Sequence, residues 1–168
     1  MEFKLIGCLL LLLCPTAAGF MLSRDTGEEL ARLEGTIRMT EHIKYEINRR
    51  MSTQEEIFAR FGNKSLEKCG FLPLVRACRV ESEKSVLTAA LERYGELLPS
   101  FPPAEQALRD FGETLGTLPR AAQEQSCDAC ISRLSELYAA EKEKSVGKIK
   151  LYRSMGMLVG VAAVLLFL

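Results

Sequence analysis

Apolar residues recur along this chain at helical intervals and hardly anywhere at strand intervals. Leu30, Leu33, Ile37, Thr40, Ile43 and Ile47 follow one another at steps of three and four, with Glu28, Arg32, Glu34, Arg38 and Glu41 on the other faces. That spacing predicts a first amphipathic helix from Gly27 to about Arg50. MSTQEEIFARFG comes next, where Ser52 or Thr53 caps a short helix, Glu55 or Glu56 completes a capping box and Gly62 stops it. KSVLTAALERYGELL predicts a third helix with Leu87, Ala90, Leu91, Tyr94 and Leu98 on one side. Pro102 and Pro103 open PPAEQALRDFGETLG, whose inner face is Leu108, Phe111 and Leu115. A last helix starts near Arg120 and runs through Cys127, Ile131, Leu134, Leu137 and Tyr138 into the apolar carboxyl end. GFLPLVRACRVESE, from Gly70 to Glu83, fits either a loop or another short helix. Runs of alternating Val, Ile and Thr, which a half-buried strand needs, are missing. Short-linked amphipathic helices bury their stripes only on one another, so the fold class is all-α, a small antiparallel helical bundle.

Both ends of the chain break this pattern by being apolar on every face. Leu5 to Leu22 carries no charge, and at 1.5 Å per residue it covers about 27 Å, close to the hydrocarbon thickness of a bilayer. It reads as an uncleaved anchor, with a cleaved secretory signal as the competing reading, since Lys4 precedes it and Thr16-Ala17-Ala18 loosely fits a cleavage site. Leu5-Ile6-Gly7-Cys8 resembles an acylation box but lies too near the start to follow a signal region. At the other end, Leu151 to Leu168 also reaches about 27 Å if Lys150 and Arg153 snorkel to the headgroups and Tyr152 sits at the membrane interface. A glycolipid-anchor signal is the alternative for this tail.

Three segments follow: an amino-terminal transmembrane anchor (1–22), a helical bundle domain (23–150) and a short carboxyl-terminal membrane segment (151–168). Arg24, Arg32 and Arg38 follow the first apolar run, and Lys142, Lys144, Lys148, Lys150 and Arg153 lie at the second, whereas only Lys4 stands on the far side. The bias of basic residues toward the cytoplasm puts the bundle there, attached to the cell membrane.

Composition narrows the function mostly by exclusion. Net charge is +0, with acids and bases interspersed, and Trp is absent. Neither the basic patch nor the stacking platform of a nucleic-acid binder is present. His42 is the only histidine, so no hydrolase triad with a matched base and no histidine metal cluster can be assembled, and its place on the first helix reads as solvated. FGETLG lacks the Gly-Lys-Ser/Thr ending of a phosphate loop. Glu28, Glu29, Glu41 and Glu46 read as solvated carboxylates on helix faces rather than an acid and base pair. Cys127-Asp-Ala-Cys130 has redox spacing but no βαβ surroundings, and Cys69 and Cys78 stand too far apart to supply a second metal-binding half. All four read as ordinary structural thiols. The expectation is a protein that is not an enzyme and uses no cofactor, metal, nucleic acid or small-molecule substrate.

Several short signatures then line up in order: Gly19-Phe20 at the end of the first apolar run, Glu41-x-Ile43-x-Tyr45-Glu46-Ile47, Phe111-Gly112-x-x-Leu115-Gly116, and Tyr152-Arg153-Ser154-Met155-Gly156. Together they resemble the stage III sporulation protein AB family over nearly the whole chain. Asn48-Arg49-Arg50-Met51-Ser52 and Thr117-Leu118-Pro119-Arg120 depart from its pattern, and the four domain cysteines are not part of it. The resemblance implies a membrane component of the channel complex between mother cell and forespore. It also implies a domain similar to the cytoplasmic domain of type II secretion F proteins. Such a protein would organise a secretion-type ATPase and other stage III sporulation channel proteins from the mother-cell membrane facing the forespore.

Under that reading exposed polar faces carry partner binding, and the candidates are Arg38, Glu41 and Lys44 on the first helix and Arg133, Glu141 and Lys144 on the last. Lys150, Tyr152 and Arg153 are the candidate membrane-interface residues. The alternative is an exported thiol or disulfide protein with a cleaved signal peptide and a carboxyl-terminal anchor, in which Cys69, Cys78, Cys127 and Cys130 pair or exchange.

Overall fold

The structure, a computed structural model, describes residues 2–49, 52–78, 85–98 and 101–167. The side chains of 2–16, 18–19, 22, 153, 156, 160–161 and 163–167 lie outside that description, and with them fall most of the Leu5–Leu22 run, Arg153 and the end of the terminal run. Among the described residues every regular element is helical: α1 (Glu2–Arg49), α2 (Gln54–Arg60), α3 (Lys64–Lys68), α4 (Phe71–Ala77), α5 (Val86–Tyr94), α6 (Pro102–Thr114) and α7 (Arg120–Phe167), with a 3₁₀ turn at Gly95–Leu97. Also among the described residues, no helix is long and apolar enough to cross a membrane.

The first helix begins well before Gly27, because α1 runs unbroken through SRDTG. One helical glycine costs only about 1 kcal/mol, and an ion pair between Arg24 and Glu28 at 3.1 Å spans the same turn. At the other end α7 continues from Arg120 into the terminal apolar run, as its periodicity predicts. The chain divides into two units, Glu29–Ala140 on the one hand and Met1–Glu28 with Glu141–Leu168 on the other.

Glu29–Ala140 is the helical bundle. Leu33, Met39 and Ile43 of α1, Phe58 of α2, Phe71 and Leu72 of α4, Leu87 and Leu91 of α5, Leu108 and Phe111 of α6, and Cys127 and Leu134 of α7 share one core. The segment that sequence left between loop and helix supplies the hub, since α4 packs on α2, α3 and α5. Thr53 caps α2 by accepting from the Glu56 amide, and Asn63 caps α3 by accepting from Ser65 and Leu66. Helix α2 ends on extended Phe61 rather than on Gly62. On the far side of the core, Ser85 caps α5 and Pro102 opens α6.

α1 buries a wider arc than its predicted stripe, adding Thr36 and Met39 to Thr40. The two threonine hydroxyls are satisfied within the helix, Thr36 donating to the Arg32 carbonyl at 2.9 Å and Thr40 to that of Thr36 at 3.1 Å. Lys44 and Asn48 of α1 meet Asp128 and Glu124 of α7, one number rising as the other falls, so the two helices run antiparallel here.

The Phe111-Gly112-x-x-Leu115-Gly116 signature has a packing explanation. Phe111 and Leu115 are core residues, and a Cβ on Gly112 would stand 2.9 Å from the Thr88 hydroxyl of α5. Gly116 takes φ +87° in the turn after α6, with Gln54 so close that a Cβ would lie 2.7 Å from its Nε2. Gln54 uses that proximity to join three elements, donating to the Leu115 carbonyl at 3.2 Å and accepting from the Val86 amide at 2.8 Å.

Candidate functional site

The bundle's outer face is built where α1 and α7 lie side by side. Lys44 donates to Asp128 at 2.6 Å with Glu124 at 3.9 Å, Asn48 donates to Glu124 at 2.9 Å, and Arg120 donates to the Asn48 carbonyl. The hydrogen bond to Asp128 raises the Lys44 pKa, with the Asp128 and Glu124 charges adding to it and partial burial opposing it. Lys44 therefore ties the two helices together, although its spacing places it with the outward-facing charges. Arg38 is exposed and pairs with Glu34 at 2.7 Å, and Glu41 is exposed on the same face. Arg133 lies 3.7 Å from Asp110 of α6. Those two residues border a cavity of about 230 Å³ between α6 and α7, where Thr114 and Ser126 share a hydrogen bond of 2.7 Å and Cys130 forms part of the lining.

Glu141 and Lys144 pair with each other at 2.7 Å and belong to the other unit, so the six partner-binding candidates do not make one surface on the bundle. In that unit Lys150 is exposed and Tyr152 half-buried. Sequence reasoning overlooked Tyr45 as a surface residue. It is 48% exposed on the same face as Glu41, with the Arg49 guanidinium 5.4 Å from its ring centre. Its place two residues after Ile43, off the apolar stripe, was the available signal.

Of two groups expected on the surface, Glu46 is buried and His42 is half-buried. Glu46 is 3% exposed and accepts from Ser52 at 3.0 Å and Arg60 at 3.3 Å, which makes it the anchor of the α1 to α2 connection rather than a solvated carboxylate. His42 is half-buried with its ring 5.3 Å from that of Phe61, and its Nε2 is buried with no hydrogen-bond partner.

Cys69, Cys78, Cys127 and Cys130 are free thiols, and the last three are buried. Burial raises Cys127 to about 11, helped by the Asp128 charge and opposed by Lys44, and it raises Cys130 to about 12 against the lowering influence of the Thr40 hydroxyl. Thiols held protonated in this way are poor nucleophiles at neutral pH. Among the described residues no three His, Cys, Asp or Glu side chains gather as metal ligands would.

Fold and surface thus define an all-helical bundle with a charged exterior. A family model for stage III sporulation protein AB matches residues 4–168, and the chain belongs to that family. No curated protein and no solved structure matches it.

Proposed function

We propose that the chain is a non-enzymatic membrane scaffold of the sporulation channel complex between mother cell and forespore. Both apolar ends hold it in the mother-cell membrane, the bundle faces the cytoplasm, and its charged exterior organises a secretion-type ATPase and other stage III channel proteins. The observation that carries this reading is a contrast in exposure. Among the described residues, Glu29–Ala140 leaves only Tyr45 and Leu118 of its large apolar side chains exposed, at 48% and 38%, while Leu151, Met155, Met157, Leu158 and Val159 of α7 are each exposed by 52% or more. Family membership supplies the process, and the raised pKa values of Cys127 and Cys130 weigh against an exported thiol-exchange protein.

Labelling a Thr26→Cys variant with a membrane-impermeant maleimide, before and after the membrane is opened, tests the placement. Reaction only after opening agrees with a cytoplasmic bundle, whereas reaction in intact cells overturns it. Combined reversal of Arg38 and Arg133 to Glu, at positions exposed enough to leave the core alone, should reduce co-purification of the channel proteins. Unchanged assembly would remove these faces from the proposal.

A further inference from the structure

Within Met1–Glu28 and Glu141–Leu168, the lysines of α7 are arranged as no single-sided partner would require. From Lys144 to Leu168 the sequence carries Lys144, Lys148, Lys150 and Arg153 and no acid. Lys142, Lys144, Lys148 and Lys150 are all exposed. With Lys144 set at zero, the helical step places Lys148 at about 40°, Lys142 at about 160° and Lys150 at about 240° around the axis. Between them Ser145 is buried and Ile149 half-buried, and exposed Glu143, Val146 and Gly147 share the remaining circumference with the lysines, so Lys148 and Lys150 stand on opposite sides of the helix. From Lys144 to Lys150 this collar is about 9 Å tall, comparable with the roughly 5–8 Å of headgroups on each side of a bilayer.

Immediately above the collar the exposed side chains change character without changing geometry. Leu151, Met155, Met157, Leu158 and Val159 are exposed and cover an arc of about 200° around the same axis, from Met157 at about 220° round to Val159 at about 60°. A protein partner docks on one face of a helix, whereas a bilayer surrounds it, with charge at one level and hydrocarbon at the next. Lys144 is paired with Glu141, but among the described residues neither Lys148 nor Lys150 has an ion-pair partner. On α1, Arg24 is paired with Glu28 beside exposed Asp25, so that helix adds no comparable positive charge.

We infer that the α7 collar, chiefly Lys148 and Lys150, binds the phosphate groups of anionic phospholipid and concentrates such lipid around this protein. The inference rests on the membrane reading above and adds a lipid class to it. Juxtamembrane lysines near an anionic surface favour it by about fivefold each.

The chain has no tryptophan, so Tyr152→Trp creates a single reporter next to the collar. The full-length variant would be reconstituted into vesicles of phosphatidylcholine and phosphatidylglycerol at three to one, with bromine on the acyl chains of one lipid or the other. Quenching per mole of brominated lipid should be several-fold stronger when phosphatidylglycerol carries the bromine. The preference should disappear in Lys148→Gln/Lys150→Gln and shrink in concentrated salt, while Arg24→Gln leaves it unchanged. Equal quenching by the two lipids, or a preference indifferent to the lysines, overturns the inference while leaving the membrane reading intact. No quenching by either lipid overturns both.

Discussion

Glu29–Ala140 and the unit formed by the two chain ends treat the same residue types in opposite ways. In the bundle Leu33, Phe58, Phe71, Leu72 and Leu108 are inside, and charges such as Arg38 and Glu34 or Lys44 and Asp128 pair on the outside. In the other unit Met157 and Leu158 are outside, and the buried positions include small polar Ser23 and Ser145. Burying a Leu or Phe side chain contributes roughly 1.5–3 kcal/mol, so the bundle holds itself together in water. The described apolar residues from Leu151 to Val159 forgo that gain, which is reasonable where the surroundings are apolar too, as the proposed membrane would be.

Phe71→Ala and Leu158→Ala break this contrast most directly. Phe71 is fully buried in the α4 hub, so its truncation should cost about 3–5 kcal/mol through lost transfer energy and the cavity left behind. Leu158 is 67% exposed, and its truncation should leave the stability of the bundle within about 0.5 kcal/mol. Urea titrations of the full chain in detergent, followed by circular dichroism, would read both. Similar losses in the two variants would show that the units do not differ as their exposure indicates.

Glu46→Ala is the next largest effect. Removing this buried carboxylate leaves Ser52 and Arg60 without their acceptor, but the half-exposed Arg60 can recover water. The loss should be about 2 kcal/mol, near the range for hydrogen bonds to charged groups. Arg60→Ala strands the buried acid instead and should cost at least as much. An Arg60 variant as stable as the parent would mean that Glu46 is held by something else.

Glu46 also shows where the sequence stops being legible. The stripe Leu33, Thr40 and Ile43, the Thr53 cap, the Pro102 start and the inner face of Leu108, Phe111 and Leu115 were all readable, because each depends on residues within a few turns. Glu46 and Lys44 read as surface charges, since nothing local reveals that Arg60 folds back onto one and Asp128 of a distant helix meets the other. Helices α3 and α4 were obscure for a different reason: five and seven residues hold too few turns to display a period. Asn63 ahead of Lys64 was the one local hint of α3. The surface character of Tyr45 was readable from its phase, and the α1 to α7 clasp beside it was not.

The buried thiols sharpen the comparison through pH. In the unfolded chain Cys127 and Cys130 would titrate near 9.0, but in the fold they hold their protons to about 11 and about 12. Between these limits the unfolded state binds fewer protons, so stability is fully present below about pH 9 and falls as pH rises through 11 and 12. Lys44, raised above 10.5 by Asp128, adds in the same direction at the upper end. The urea midpoint should therefore drop between pH 8 and pH 10.5, and drop less in Cys127→Ala/Cys130→Ala. Equal drops would remove the thiols from the explanation.

The smallest effect concerns His42, which among the described residues carries the one buried side-chain nitrogen or oxygen without a partner. Buried Nε2 of His42 faces no partner, while the ring keeps its contact with Phe61. An unsatisfied buried polar atom costs about 1–3 kcal/mol, and the lower end applies to a side chain that is only half-buried. His42→Leu keeps an apolar group against Phe61 and removes the orphaned nitrogen, so it should raise stability by about 1 kcal/mol at pH 8. His42→Gln retains polar atoms in the same place and should bring no gain. If Leu destabilises while Gln does not, the imidazole contributes more to the Phe61 contact than its unpaired nitrogen takes away.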